Sequence, residues 1–112
     1  CLIQVDLAAE PQKAGCSPEE VPALLDAMSG ADGLLRCCGL MCIPPAVESV
    51  EDARPYFRRL RQLLQELASQ PRPYVELTEL SMGMSQDFQV AISEGATLVR
   101  VGTALFGARP PR

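Results

Sequence analysis

Two short runs near the C-terminal end hold the residue types most able to do chemistry. They are Leu80-Ser81-Met82-Gly83-Met84-Ser85 and Thr103-Ala104-Leu105-Phe106-Gly107. Each is rich in small or hydroxylated residues and follows an apolar, β-branched stretch, so each reads as a strand-to-helix loop. Two such loops side by side can surround one anion, because helix starts carry unpaired N–H donors and a partial positive charge. Met84 and Ser85 would offer backbone amides there, and the Ser85 and Thr103 hydroxyls two further donors. Taken alone, Ser85 is equally well a helix N-cap and the methionines are core filler. The pairing with Arg100-Val101-Gly102-Thr103 gives the run its weight.

Arg100 is the sharpest single signal. Residues two apart share a face of a strand, which groups Leu98, Arg100 and Gly102 against Val99 and Val101. The valines suit the side packed by helices, so Arg100 is expected on the opposite, inner side near the end of its strand. A buried guanidinium needs a partner. One reading is a carboxylate, Asp6 or Glu76; the other is a polar ligand. Gly102 beside it leaves room for a ring or a phosphate to approach the backbone.

The totals limit what such a site can be part of. The 112 residues suffice for one domain with a modest core, and 47% hydrophobic against 21% charged residues indicates a folded chain. A net charge of −4 without a Lys/Arg tract argues against nucleic acid or an anionic membrane surface as partner. There is no histidine, which removes the usual general base and the usual metal ligand together. The five cysteines, Cys1, Cys16, Cys37, Cys38 and Cys42, show no Cys-x-x-Cys spacing. They are expected to be free thiols in a reducing cytoplasm, with no metal site. No apolar run is long enough for a transmembrane helix. The chain starts abruptly in an apolar strand at a residue other than Met, and a fragment of a longer protein is expected.

The elements that must position the site follow in order. Leu2–Leu7 suits a buried parallel strand. Ser17-Pro18-Glu19-Glu20 is a capping-box start for a helix to Met28, burying Val21, Leu24, Leu25 and Met28. Leu34–Ile43 is the second strand, stopped by Pro44-Pro45. A helix from Glu51 or Asp52 keeps Pro55 in its first turn and buries Ala53, Phe57, Leu60, Leu64 and Leu67. Arg54, Arg58 and Arg61 are expected on its solvated face. Tyr74–Leu80 is the third strand, with Ser81–Ser85 as its loop. A helix over Gln86–Glu94, capped by Ser85 and ended by Gly95, precedes a strand over Thr97–Gly102. One more helical turn and a tail from Ala108 complete the chain.

Strands alternating with helices demand right-handed crossovers and a parallel sheet. In TIM barrels a phosphate commonly lies between the loops after strands seven and eight, near a short extra helix. The last two loops and the final turn reproduce that arrangement. The expected fold is therefore α/β: a (β/α)8 TIM barrel of which residues 1–112 supply about the last four βα units.

With these residues assembled, the C-terminal part resembles a known family. Ser81-Met82-Gly83-Met84-Ser85, Asp87 and the run from Gly95 to Gly107 are similar to the signature of the pyridoxal phosphate homeostasis proteins. Gly39-Leu40-Met41-Cys42-Ile43-Pro44 resembles that family's middle strand, and Lys13-Ala14-Gly15 its loop after an earlier strand. The resemblance implies the barrel of the alanine racemase N-terminal domain, and pyridoxal 5′-phosphate bound for intracellular homeostasis without catalysis. It implies that Met84, Ser85, Gly102 and Thr103 hold the phosphate and that Arg100 faces the pyridine nitrogen. A cation there disfavours ring protonation and weakens the cofactor as an electron sink. Apo-enzymes that receive the cofactor are the implied protein partners. The family's Schiff-base lysine lies on an early strand outside these residues, and Lys13 matches a later loop lysine instead.

Two other readings stay open. One is a racemase or decarboxylase of the same barrel class, which would need a proton-transferring group such as Tyr56 or Tyr74. The other is a barrel for a different phosphate, such as a flavin or a sugar phosphate.

Overall fold

The computed structural model describes residues 1–10 and 14–111. Lys13 lies outside the described residues, as do Pro11, Gln12 and Arg112. Four strands, β1 (Leu2–Gln4), β2 (Cys37–Met41), β3 (Val75–Met84) and β4 (Leu98–Arg100), form one sheet in the order β1-β2-β3-β4. Every neighbouring pair is parallel. Helix α1 (Val21–Ser29) joins β1 to β2, α2 (Arg54–Ala68) joins β2 to β3, and α3 (Phe88–Ser93) joins β3 to β4. A four-residue helix, α4 (Thr103–Phe106), follows β4. This is the expected alternation.

The sheet packs on one side. Ile3 and Val5 of the first strand region, Leu40 and Cys42 of the second, and Leu80 and Met82 of the third point to one face. There they meet Val21 and Leu25 of α1, Phe57, Leu60, Leu64 and Leu67 of α2, and Val90 and Ala91 of α3 in one core. The other face is an in-register row, Gln4–Met41–Ser81–Leu98. Gln4 and Met41 are half-buried and Leu98 is 45% exposed. A doubly wound sheet reverses its strand order and carries helices on both faces. Sequential order with a one-sided core fits a fragment of a TIM barrel.

Several local expectations are corrected. Strands β1, β2 and β4 are shorter than their apolar runs, and Leu34 is 87% exposed. Leu24 of α1 is 41% exposed, because it lies off the stripe that carries Val21 and Leu25. Pro18–Glu20 form a 3-10 turn ahead of α1, and the Ser17 hydroxyl donates to Glu20 Oε1 at 2.9 Å without capping a backbone amide. A second 3-10 turn, Val50–Ala53, precedes α2. Residues Ser81–Met84 continue β3 and are not a loop. Their extension is bent at Gly83, where φ is +101° and an added Cβ would sit 2.7 Å from that of Ala91. Glycine is needed there for both conformation and space.

The largest correction concerns the α2 arginines. They are only partly a solvated face: Arg58 stays 52% exposed, but all three turn to one carboxylate. Glu94, at the end of α3, is 4% exposed. Its carboxylate meets Arg54 Nη1 at 2.9 Å, Arg58 Nε at 3.2 Å and Arg61 Nη1 at 3.6 Å. Arg61 Nη1 also donates to the Glu94 carbonyl at 3.2 Å. The short helix α3 is thereby pinned to the middle of α2. The Arg58 hydrogen bond, with that of Arg54 added, holds the Glu94 carboxyl below the ordinary carboxylate range against the opposing effect of burial.

A carboxylate whose folded pKa is depressed stabilises the fold above its unfolded pKa, about 4.3, and ceases to do so as pH falls through the lower folded value. Glu94→Gln should therefore lower stability at pH 7 by about 1–3 kcal/mol, the scale of hydrogen bonds to charged groups. The wild-type advantage in urea unfolding should shrink progressively as pH falls below about 4. An equal difference at pH 7 and pH 3 would exclude the clamp.

Candidate functional site

The β3 and β4 ends converge on one cavity of about 710 Å³. Met84, Ser85, Arg100, Gly102 and Thr103 all line it. The opposite wall is the segment Ile43–Val47 after β2, and Asp87, Phe106 and Arg109 complete the rim. Sequence reasoning missed that wall, treating Pro44-Pro45 only as a strand stop. A second cavity, of about 560 Å³, adjoins the loop after β1 and the start of α1. Among the described residues its charged lining is Asp6, Glu10, Glu19, Glu20 and Arg59, a surround that disfavours an anion.

Ser85 departs from its expected role. The N-cap residue of α3 is Asp87, and the helix starts at Phe88. Ser85 Oγ instead accepts hydrogen bonds from Gly102 N at 3.2 Å and Ala104 N at 3.0 Å. One hydroxyl thus ties the loop after β3 to the loop after β4. A serine oxygen has two acceptor lone pairs and one donor proton. With both lone pairs used, its remaining capacity is to donate, which suits an anion and not a cation.

Asp87 also shapes this loop. Its Oδ1 accepts from Met84 N at 2.8 Å, and its own amide donates to the Met84 carbonyl at 3.1 Å. The Met84 amide is therefore engaged inside the protein and is not the free donor the sequence suggested. Gly102 fits its expected part, since a Cβ placed there would meet nothing within 4 Å. No hydrogen bond uses the Thr103 hydroxyl among the described residues. With six residues in α3 and four in α4, any anion here is held by side chains and loop amides rather than by a long helix dipole.

Arg100 lies where strand parity put it. It is two residues beyond Leu98 on the uncovered face, while Val99 packs toward Gly83 on the helical side. Its partner is neither Asp6 nor Glu76. Arg100 Nη2 donates to the Cys42 carbonyl at 2.9 Å. Its Nε is buried with no hydrogen-bond partner. An unmet buried donor on a guanidinium costs roughly 1–3 kcal/mol or more. Such a group needs a partner that the described residues do not supply.

The thiols are all free. Cys37 and Cys42 are buried, Cys16 and Cys38 partly so, and Cys1 is exposed. Burial pushes the Cys42 thiol up to about 12, so it is protonated and inert next to Arg100. Among the described residues no group of three or more Cys, Asp or Glu side chains is placed to hold a metal ion. No helix among them is long and apolar enough to cross a membrane. Neither Tyr56 nor Tyr74 lines the cavity.

A sequential parallel α/β sheet with a polar cup and an inward arginine at its strand ends fits a fragment of a TIM barrel. Residues 1–110 match the family model described as alanine racemase, N-terminal domain, and the chain belongs to that family. It is 50% identical over 109 residues to a pyridoxal phosphate homeostasis protein of Aquifex aeolicus, matching 96% of this chain and 46% of that protein. A mouse protein of the same name is 38% identical over 109 residues, covering 96% of this chain and 40% of its own length. The chain thus spans about half the length of the curated relatives it matches. Among solved structures, PipY of Synechococcus elongatus without PLP superposes with a TM-score of 0.84 at 42% identity, over 95% of this chain and 48% of that one. The PipY structure with PLP bound gives 0.80 at 40% identity over the same shares.

The bridging role of Ser85 has a direct test. Ser85→Ala should leave the Gly102 and Ala104 amides without their acceptor, and their hydrogen exchange should quicken by about tenfold or more, the equivalent of one lost hydrogen bond. The amides of β2 should not change. Unchanged exchange at Gly102 and Ala104 would show that Ser85 does not join the loops.

Proposed function

We propose that this chain supplies the phosphate-holding and ring-facing half of a barrel that binds pyridoxal 5′-phosphate. On this reading the protein carries and buffers the cofactor and does not turn it over. The observation that carries the proposal is the buried Arg100 Nε at the end of the strand, a cationic donor without a partner among the described residues. Next to it stand a hydroxyl left only to donate and a glycine with open space. A ligand with both a phosphate and a polar ring edge satisfies all three. The names of the relatives and the PLP-bound PipY structure support the same ligand.

The residues fit the cofactor in distinct roles. Ser85 and Thr103 would hold the phosphate through their hydroxyls over the open backbone of Gly102, whose amide is already donated to Ser85 Oγ, with Met84 contributing side-chain wall rather than its amide. Arg100 would face the pyridine nitrogen and disfavour its protonation. The bound cofactor supplies an electron sink through its protonated ring, and this arrangement damps that property.

The 112 residues are read as the later half of an eight-stranded barrel, on two grounds. The sheet buries one face only, and the anion cup lies between the last two strand ends beside a short final helix, as after strands seven and eight of TIM barrels. Apo-enzymes are the proposed recipients of the cofactor, and the cytoplasm the proposed compartment.

Two measurements test the reading. The purified chain should bind pyridoxine 5′-phosphate, which lacks the aldehyde and so reports the pocket alone. Arg100→Gln should weaken that binding by about tenfold or more. A hybrid with the complementary half of the Aquifex aeolicus relative should retain pyridoxal 5′-phosphate and give a cofactor–lysine adduct by mass after borohydride. A hybrid that folds but retains no cofactor would sink the proposal.

A further inference from the structure

The cavity has a second cation that the phosphate reading does not yet use. Helix α4 ends at Gly107, where φ is +81°. A Cβ at Gly107 would meet nothing within 4 Å, so glycine is required there for the turn and not for space. The turn sends the following residues back along the cavity, and Arg109 is part of its lining. Arg109 is exposed, and it takes part in no ion pair or hydrogen bond among the described residues. The arginines of α2 that clamp Glu94 are already engaged.

The charges around the cavity make this placement consequential. They are Arg100, Arg109 and Asp87. Asp87 uses Oδ1 to hold the Met84 amide and keeps its negative charge beside the cup. Arg100 is tied to the Cys42 carbonyl on the inner side and is read as facing the ring. A phosphate dianion at Ser85 and Thr103 would therefore meet a carboxylate on one side with its nearest committed cation turned to another part of the ligand. Among the described residues, Arg109 is the cation at the cavity that is free to meet it.

We propose that Arg109 is a specificity-determining residue of the cup: it closes on the phosphate from the solvent side, offsets Asp87, and selects phosphorylated over unphosphorylated ligand. The inference rests on the cofactor reading above and adds a residue to it. Arg100 acts on the ring and so on both forms of the ligand. Arg109 acts on the phosphate alone.

The probes are pyridoxine 5′-phosphate and pyridoxine, titrated into the purified chain, with inorganic phosphate as competitor. Arg109→Gln should weaken pyridoxine 5′-phosphate about 3- to 10-fold, the scale of one partly exposed ion pair, and leave pyridoxine unchanged. Its binding should also lose part of its dependence on salt. Arg109→Lys should keep most of the preference. Gly107→Ala, which strains the turn and re-aims the segment, should reproduce the loss. Arg109 is exposed, so thermal unfolding of Arg109→Gln should match that of the wild type. Equal weakening of both ligands, or no change in either, overturns the role of Arg109 while leaving the cofactor reading intact. Failure of the wild type to bind either ligand overturns both.

Discussion

The sheet buries one face only, and the rest of the molecule follows from that. Right-handed crossovers between sequential parallel strands carry each connecting helix to the same side. The apolar residues of Ile3–Leu40–Leu80 therefore face α1, α2 and α3, and the intervening row Gln4–Met41–Ser81–Leu98 faces away. A side chain on that second face at the end of a strand has no helix to pack against. Arg100 is such a residue. Its donors find one carbonyl, that of Cys42, and one is left over. The vacant donor is a consequence of topology as much as of residue type.

The same one-sided packing explains how the cup is held in shape. Its two loops are short, and neither of the helices behind them is long enough to be stable alone. Order is imposed from two directions. From below, Glu94 and three arginines fix the end of α3 to α2, and Gly83 lets Ala91 of α3 come within contact of the bent strand. From within, Asp87 closes the Met84 turn and Ser85 reaches across to Gly102 and Ala104. Cooperation between such neighbouring hydrogen bonds is what makes a small polar site rigid. A rigid cup loses less on binding than one that must first be ordered.

Much of this was legible in the sequence because it rests on period and parity. The α2 stripe from Ala53 to Leu67 is buried as its spacing requires, and Arg100 lies on the face that alternation assigned. What was not legible rests on contacts between segments distant in the chain. The Glu94 clamp joins residues 33 to 40 positions apart, so Arg54, Arg58 and Arg61 had only their own helix to be judged by and looked solvated. Ser85 fits an N-cap pattern, and its bond to the neighbouring loop becomes visible only when β4 is placed beside β3. Ser81–Met84 looked like a loop because its small residues and glycine signal a turn. In the sheet those residues are a strand whose glycine supplies a bend, closely backed by α3.

On the proposed reading, a cofactor carrier need not resemble an enzyme that uses the same cofactor. An enzyme that draws electrons into a pyridine ring benefits from an acid at the ring nitrogen, and places a proton-transferring group near the reacting carbon. Here the group available to the ring is a guanidinium, which cannot accept a proton and repels one. The neighbouring thiol of Cys42, at about 12, holds its proton too firmly to serve as a base. The polar lining of the cavity consists of hydroxyls, Gly102, arginines and Asp87, and on the proposed reading these recognise a phosphate and a neutral ring edge.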